Sequence, residues 1–158
     1  MRRAAHLRRN PNQIGFPGGK IDPADEDERA AALREFEEEL GVPRERVRIV
    51  DRLDDVVTLS LSVTVTPFVG VIEPPLAYAF DPSETHSVHE VALARLYAPG
   101  ALHFGSEPVV HEGRPLDVPS WLFDDGELHV WGATAQMLRA LVTRYPAASD
   151  VLAHFFAP

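Results

Sequence analysis

Apolar and polar positions repeat with different periods along the chain, and each period predicts an element. Between Ala30 and Leu40 the residues are mostly strong helix formers, and Leu33, Phe36 and Leu40 recur at helical spacing. At about 100° per residue these three share one side, and Glu35, Glu38 and Glu39 cluster nearly opposite. Asp25 or Asp27 is placed to cap this helix, the acids at 25–28 suit the positive end of its dipole, and Gly41 stops it with Pro43 just beyond.

Downstream, VRIVDRL at 47–53, LSVTVTPFVGVI at 61–72 and SVHEVAL at 87–93 are rich in β-branched residues and partly alternate, which predicts three strands. From Tyr97 to Pro119, Gly and Pro are dense and a less regular region is expected. SWLFDDGELHVW at 120–131 then places two short apolar runs around Asp125-Gly126, a hairpin signal. From Gly132 to Arg144, Met137, Leu138, Leu141 and Tyr145 mark the buried face of a last helix, read as core packing rather than a cofactor box. No repeat, low-complexity tract or linker interrupts the chain, so the expected architecture is α/β, a mixed sheet with helices against it. Such a class says nothing about function by itself.

Composition narrows the setting. With 158 residues, 45% hydrophobic and 25% charged, residues 1–158 are expected to form one globular domain. No apolar run approaches the ~18 residues of a membrane span, and MRRAAHLRRN lacks the apolar core of a secretory signal, so a cytoplasmic protein without membrane partners is expected. The absence of cysteine removes disulfides, thiolate metal sites and cysteine nucleophiles, and leaves oxygen or imidazole as metal ligands. A formal charge of −9 disfavours nonspecific nucleic-acid binding.

That charge is unevenly spread. Residues 1–20 carry Arg2, Arg3, Arg8, Arg9 and Lys20 and no acid, whereas residues 22–39 carry Asp22, Asp25, Glu26, Asp27, Glu28, Glu35, Glu37, Glu38 and Glu39. An Arg-rich, acid-free start also suits an organelle transit peptide, but Pro11, Pro17 and the lack of a linker before the acidic segment weigh against it.

The glutamates of the helix admit two readings. They are either the solvated face of an amphipathic helix or a carboxylate set for a cation. Like charges three and four residues apart cost a few tenths of a kcal/mol each, and acids in the last turn face the negative end of the dipole at roughly 0.3–1 kcal/mol each. A divalent cation would reverse both penalties, and hard ions such as Mg²⁺ and Mn²⁺ prefer carboxylate oxygens. Before the helix, NQIGFPGGK at 12–20 reads as a short extended segment entering a loop whose paired glycines allow close backbone approach. The seven histidines include no HExxH or other convincing ligand pair and are read as non-catalytic.

The segment Gly18–Val42, GGKIDPADEDERAAALREFEEELGV, resembles the Nudix box, GX5EX7REUXEEXGU with U a bulky apolar residue. Arg34, Glu35, Phe36, Glu38, Glu39, Gly41 and Val42 match its second half position for position. In the first half, Gly19 to Arg34 is one residue longer than the pattern, so either Asp25 or Glu26 stands for its lone glutamate. The same extra residue occurs in the coenzyme A pyrophosphatases, whose box follows a segment like LRxHPGQIAFPGG and continues GGxxDPxD; here LRRNPNQIGFPGGKIDPAD occupies 7–25. VTPFVGVI at 65–72, Glu84 ahead of SVHEVAL, and VWGATAQML at 130–138 extend the likeness over nearly the whole chain. Asn12 departs from the usual Gly, and the strands that normally precede the LLTxR segment are absent, which predicts a sheet lacking one or more amino-terminal strands and a true start upstream of Met1.

The resemblance implies a Nudix-type α/β/α sandwich and metal-dependent hydrolysis of a diphosphate with Mg²⁺ or Mn²⁺. It implies Glu35 and Glu39 as metal ligands, Glu38 as a third ligand or water-orienting group, and Glu38, Glu39 or Glu84 as the general base. Arg34 reaches Glu38 at helical spacing and is assigned structural support. Gly18 and Gly19, by backbone NH, and Arg3, Arg8, Arg9 and Lys20, by charge, are candidate substrate contacts. The substrate implied is coenzyme A or a thioester of it, cleaved to 3′,5′-ADP and 4′-phosphopantetheine or its acylated form, by a monomer or homodimer. The alternatives are hydrolysis of ADP-ribose or another nucleoside diphosphate derivative, and a non-catalytic nucleotide-binding module.

Overall fold

A computed structural model describes residues 1–58, 63–111 and 113–156. Two compact units emerge, Met1–Leu53 with Thr66–Glu90, and Asp54–Val65 with Val91–Pro158.

In the first unit, β1 (Arg2–Arg3) pairs antiparallel with β6 (Thr85–Ser87), Arg2 opposite Ser87 and Arg3 opposite Thr85. On its other side β1 meets the 13–15 segment through an Arg2–Ile14 bridge and a 3.0 Å bond from Arg3 N to Gln13 O. This clamps the start of the basic arm between the NQIG segment and β6. Helix α1 (Glu28–Leu40) follows, its first turn capped by Asp27, whose carboxylate accepts from Ala30 N at 2.7 Å. Gly41 ends it at φ 66°, a left-handed conformation that glycine adopts without steric cost. A Cβ on Gly41 would also lie 2.3 Å from Ala79 O, so the same residue lets residue 79 approach and donate its NH to Leu40 O. Ala31 and Leu40 are the buried positions of α1, with Leu33 and Phe36 half-buried beside them. After a 3₁₀ turn (Arg44–Arg46), β2 (Val47–Arg52) pairs antiparallel with β5 (Phe68–Ile72), with an irregularity between Ile49 and Asp51.

In the second unit, β3 (Val56–Val57) pairs with β4 (Thr64–Val65), and a three-stranded antiparallel sheet runs in the order β7 (Leu102–His111), β8 (Arg114–Asp125), β9 (Leu128–Trp131). Short α2 (Leu93–Leu96) precedes it, and α3 (Gly132–Arg144) and α4 (Ala148–Phe156) follow. Leu96, Leu122, Phe123, Val130, Ala135, Tyr145, Val151 and Phe155 form its core. Ser120, buried on β8, accepts the amide of Gly132 at 3.0 Å and so supplies a partner to an otherwise orphaned NH at the start of α3.

Several expectations are corrected. All strand pairs among the described residues are antiparallel and form four separate small sheets, not one mixed sheet. Seven of the nine strands among the described residues are two to six residues long, and Pro67, which has no NH for a ladder, lies between β4 and β5. The strand expected at 61–72 splits into β4 and β5 at Pro67, and its residues 61–62 lie outside the described residues. At 87–93 only the first residue is strand; the ladder is Thr85–Ser87. The region 97–119, expected to be irregular, is mostly the long β7–β8 hairpin. The α4 helix follows the one expected to be last.

No helix among the described residues is long and apolar enough to cross a membrane.

Candidate functional site

The chemistry-bearing residues of the first unit gather where the 15–25 loop folds over the acidic face of α1. Two glycines make the approach. Gly18 N donates to Glu39 Oε2 at 2.9 Å. At Gly19 a Cβ would lie 2.3 Å from Glu35 Oε1 and 2.6 Å from Glu35 Oε2, so any side chain there would have to displace the Glu35 carboxylate. The loop therefore lies directly on two carboxylates one helical turn apart.

Arg34 ties this loop to the helix. Its Nε and Nη2 donate to the two carboxylate oxygens of Asp25 at 3.0 Å each, a bidentate fork, and Nη2 also donates to Lys20 O at 3.0 Å. Nη1 donates to Glu35 Oε1 at 2.9 Å and to Glu38 Oε2 at 3.0 Å. These bonds lower the Asp25 carboxyl below the ordinary aspartate value, helped by the Asp22 amide, and hold the Arg34 proton more firmly than usual. Of the two first-half candidates, Asp25 is the one that faces Arg34. Sequence spacing could not have found this pair, because nine residues separate its members and only the loop brings them together.

Electrostatics single out Glu39. Burial pushes its carboxyl up; the Gly18 amide pulls it down, Glu35 raises it, Arg3 lowers it and Glu84 raises it, with a net upward shift. Glu35, Glu39 and Glu84 therefore share one anionic neighbourhood with Arg3 as its nearby cation. Glu84 stands immediately before β6, its carbonyl accepting Ala4 N at 2.9 Å and its side chain exposed. Arg3 reaches the neighbourhood from β1, and its Nε is buried with no hydrogen-bond partner among the described residues.

The other expected contacts are placed differently. Lys20 contributes its carbonyl to Arg34 while its side chain is exposed. Arg8 and Arg9 are exposed in the loop after β1, and no bond links them to the carboxylates. Asn12 adopts φ 59°, as Asn10 does at 51°, so the position at which the resemblance expects Gly is left-handed here and is filled by a residue type that tolerates it.

The donor set suits a hard divalent cation: it is all carboxylate oxygen, it clusters charge that repels itself, and a glycine keeps its approach clear. As placed, Glu35 and Glu38 are drawn to Arg34 and Glu39 to Gly18. Among the described residues no three carboxylate or imidazole groups converge as a ready coordination shell.

Comparison with known proteins agrees with this geometry. The NUDIX domain family matches residues 1–112. The uncharacterized Nudix hydrolase NudL of Enterobacter sp. (strain 638) is 37% identical over 140 residues, covering 89% of this chain and 70% of that protein. Its namesake from Escherichia coli (strain K12) is 37% identical over 146 residues, covering 88% and 70%. With the box residues gathered at one end of α1 and relatives matched over most of both chains, the chain belongs to the Nudix hydrolase family, whose members are pyrophosphohydrolases.

Proposed function

We propose that this chain, acting as one domain over residues 1–158, hydrolyses the diphosphate of coenzyme A or its thioesters, releasing 3′,5′-ADP and 4′-phosphopantetheine or its acylated form. The observation that carries the diphosphate reading is the Gly18–Gly19 backbone laid against the Glu39 and Glu35 carboxylates. The coenzyme A reading rests on the likeness of residues 7–25 to that subfamily, including a left-handed backbone at Asn12 where the subfamily carries Gly.

Nudix hydrolases are generally divalent-metal dependent. Glu35 and Glu39 would hold Mg²⁺ or Mn²⁺, with Glu38 as a third ligand or water-orienting group. When bound, the ion would neutralise charge on the diphosphate and acidify the attacking water. The protein residues do the rest. Arg34 fixes the Glu35 and Glu38 carboxylates against the loop. The Gly18 amide is held by Glu39, and Gly19, with no side chain, lets its backbone come close to phosphate oxygens. Arg3 offers a cation beside Glu39, and Arg8, Arg9 and Lys20 are candidate contacts for the 3′-phosphate. Glu84, exposed and close enough to Glu39 to shift it, is the candidate base that removes the water proton, with Glu38 and Glu39 as the other eligible carboxylates.

A product profile tests the substrate. Incubation with coenzyme A, acetyl-coenzyme A and ADP-ribose in Mg²⁺ or Mn²⁺, resolved by chromatography, is expected to give 3′,5′-ADP from the first two at higher kcat/KM than AMP from the third. Preference for ADP-ribose would move the assignment to another nucleoside diphosphate derivative.

A further inference from the structure

The second unit holds a cleft that none of the residues assigned to hydrolysis lines. It lies among α2, the start of β7, β8 and the last turns of α3, and encloses about 320 Å³. That volume falls at the lower end of the roughly 300–1,000 Å³ range of small-molecule sites. Leu96, Leu102, Trp121, Val142 and Pro146 make its walls apolar.

One full charge enters this lining. The Arg139 guanidinium sits 4.8 Å from the Trp121 ring centre, over the indole. Stacking on an indole engages the flat face of a guanidinium and leaves its in-plane N–H groups for another partner. Among the described residues they have none, because Arg139 forms no ion pair or hydrogen bond. The chain carries 24 acids against 15 lysines and arginines, so a cation left unpaired beside apolar walls is open to an anion from outside. Thr143 follows one turn along α3, on the same face and about 6 Å up the axis, and brings a hydroxyl to the cleft. The other hydroxyl is committed, since Tyr97 donates to Tyr145 O at 2.6 Å.

The surroundings limit the charge of that anion. Burial pushes the Tyr97 phenol up and the Asp150 carboxylate pushes it further, which sets an acid near Tyr97. Asp150 is itself held by Ala147 N at 2.9 Å. A doubly charged head such as a phosphate monoester meets repulsion there, whereas one carboxylate balances one guanidinium.

We propose that this cleft binds a small monocarboxylate with an apolar body, its head on the Arg139 fork beside Thr143 and its hydrocarbon against Trp121, Leu102 and Val142. Burial of the hydrocarbon drives the contact, and the planar fork selects the acid over a neutral molecule of the same shape.

The test is a titration of the ¹⁵N-labelled full chain with sodium hexanoate, followed by NMR through amide and indole resonances. Of the two tryptophans, Trp121 lines the cleft and Trp131 does not, so one indole reports binding and the other controls for bulk effects. Hexanoate is expected to move the Trp121 indole and the amides of 96–102 and 139–143 along a saturating curve with a midpoint on the order of 1 mM. Acetate, which lacks the body, n-hexanol, which lacks the charge, and hexyl phosphate, which carries too much of it, are each expected to bind about tenfold more weakly or worse. Arg139→Gln is expected to cost hexanoate about tenfold and hexanol little. If Arg139→Gln disturbs α3 through the lost stacking, Arg139→Lys and Thr143→Val carry the test; both are expected to weaken hexanoate severalfold, the lysine because it keeps the charge and loses the fork. The proposal is overturned by the absence of a saturable shift up to about 20 mM hexanoate. It is equally overturned if hexanol or hexyl phosphate binds as tightly as hexanoate, if folded variants at 139 and 143 bind it unchanged, or if the shifts bypass Trp121.

Discussion

Gly19→Ala isolates the contact on which the site depends. Gly19 has no left-handed φ, so alanine fits its backbone, and the three atoms nearest the new methyl all belong to the Glu35 carboxylate. Its Cβ would lie 2.3 Å from Oε1, where ordinary van der Waals contact begins at 3.4 Å, so about 1.1 Å must be made up (3.4 − 2.3). The atom in the way is the far end of a flexible side chain, so the fold gives little resistance and Tm is expected to fall by no more than a few degrees. The cost falls on function: a displacement of about 1 Å at a catalytic constellation is worth about a hundredfold in rate, or about 2.7 kcal/mol of barrier. Steady-state hydrolysis of coenzyme A across a Mg²⁺ or Mn²⁺ titration is expected to show kcat down about a hundredfold and a weaker metal requirement midpoint, with the melting curve nearly unchanged. Wild-type kcat at wild-type metal concentration in Gly19→Ala would refute the claim that the loop and Glu35 form one site.

Three further perturbations separate structural from catalytic carboxylates. Asp25→Asn removes the Arg34 fork and is expected to lower Tm at neutral pH. Because the Asp25 pKa is depressed in the fold, its contribution is full above the ordinary Asp value of about 3.9 and fades as pH falls below it, so the mutant and wild-type melting curves should converge in acid. Glu39→Gln is expected to do the reverse, raising Tm while abolishing hydrolysis. Its folded pKa is raised, so the ionised carboxylate opposes folding at neutral pH, and the gain should vanish below about pH 4.3 in a thermal-shift series. Glu84→Gln is expected to lower kcat without moving the metal titration midpoint; near-full activity would exclude Glu84 as the base.

What could be read from the sequence was local. Helix α1 was legible because its cap, Asp27, and its stop, Gly41, lie within one turn of its ends. Helix α3 was legible from the helical spacing of its apolar residues, and the Asp125-Gly126 turn from its own two residues. The β7–β8 hairpin was not: Gly105, Pro108, Gly113, Pro115 and Pro119 read as breakers, and what makes them strand is the partner across the ladder, which no window of one strand contains. The expected strand at 87–93 failed similarly, since β6 exists only where β1 pairs with it. In the site, the spacing of Glu35, Glu38 and Glu39 on one helix face was visible in the sequence. The Asp25–Arg34 fork and the closeness of Gly19 to Glu35 depend on how the 15–25 loop folds back.

The most direct measurement is product formation from coenzyme A by the purified chain, with Mg²⁺ or Mn²⁺ present and then chelated, alongside folded Glu39→Gln. Metal-dependent release of 3′,5′-ADP by the wild type alone is the predicted result. Release that persists in Glu39→Gln or without metal would contradict a site built on these carboxylates, and no release from folded wild type would contradict the coenzyme A assignment.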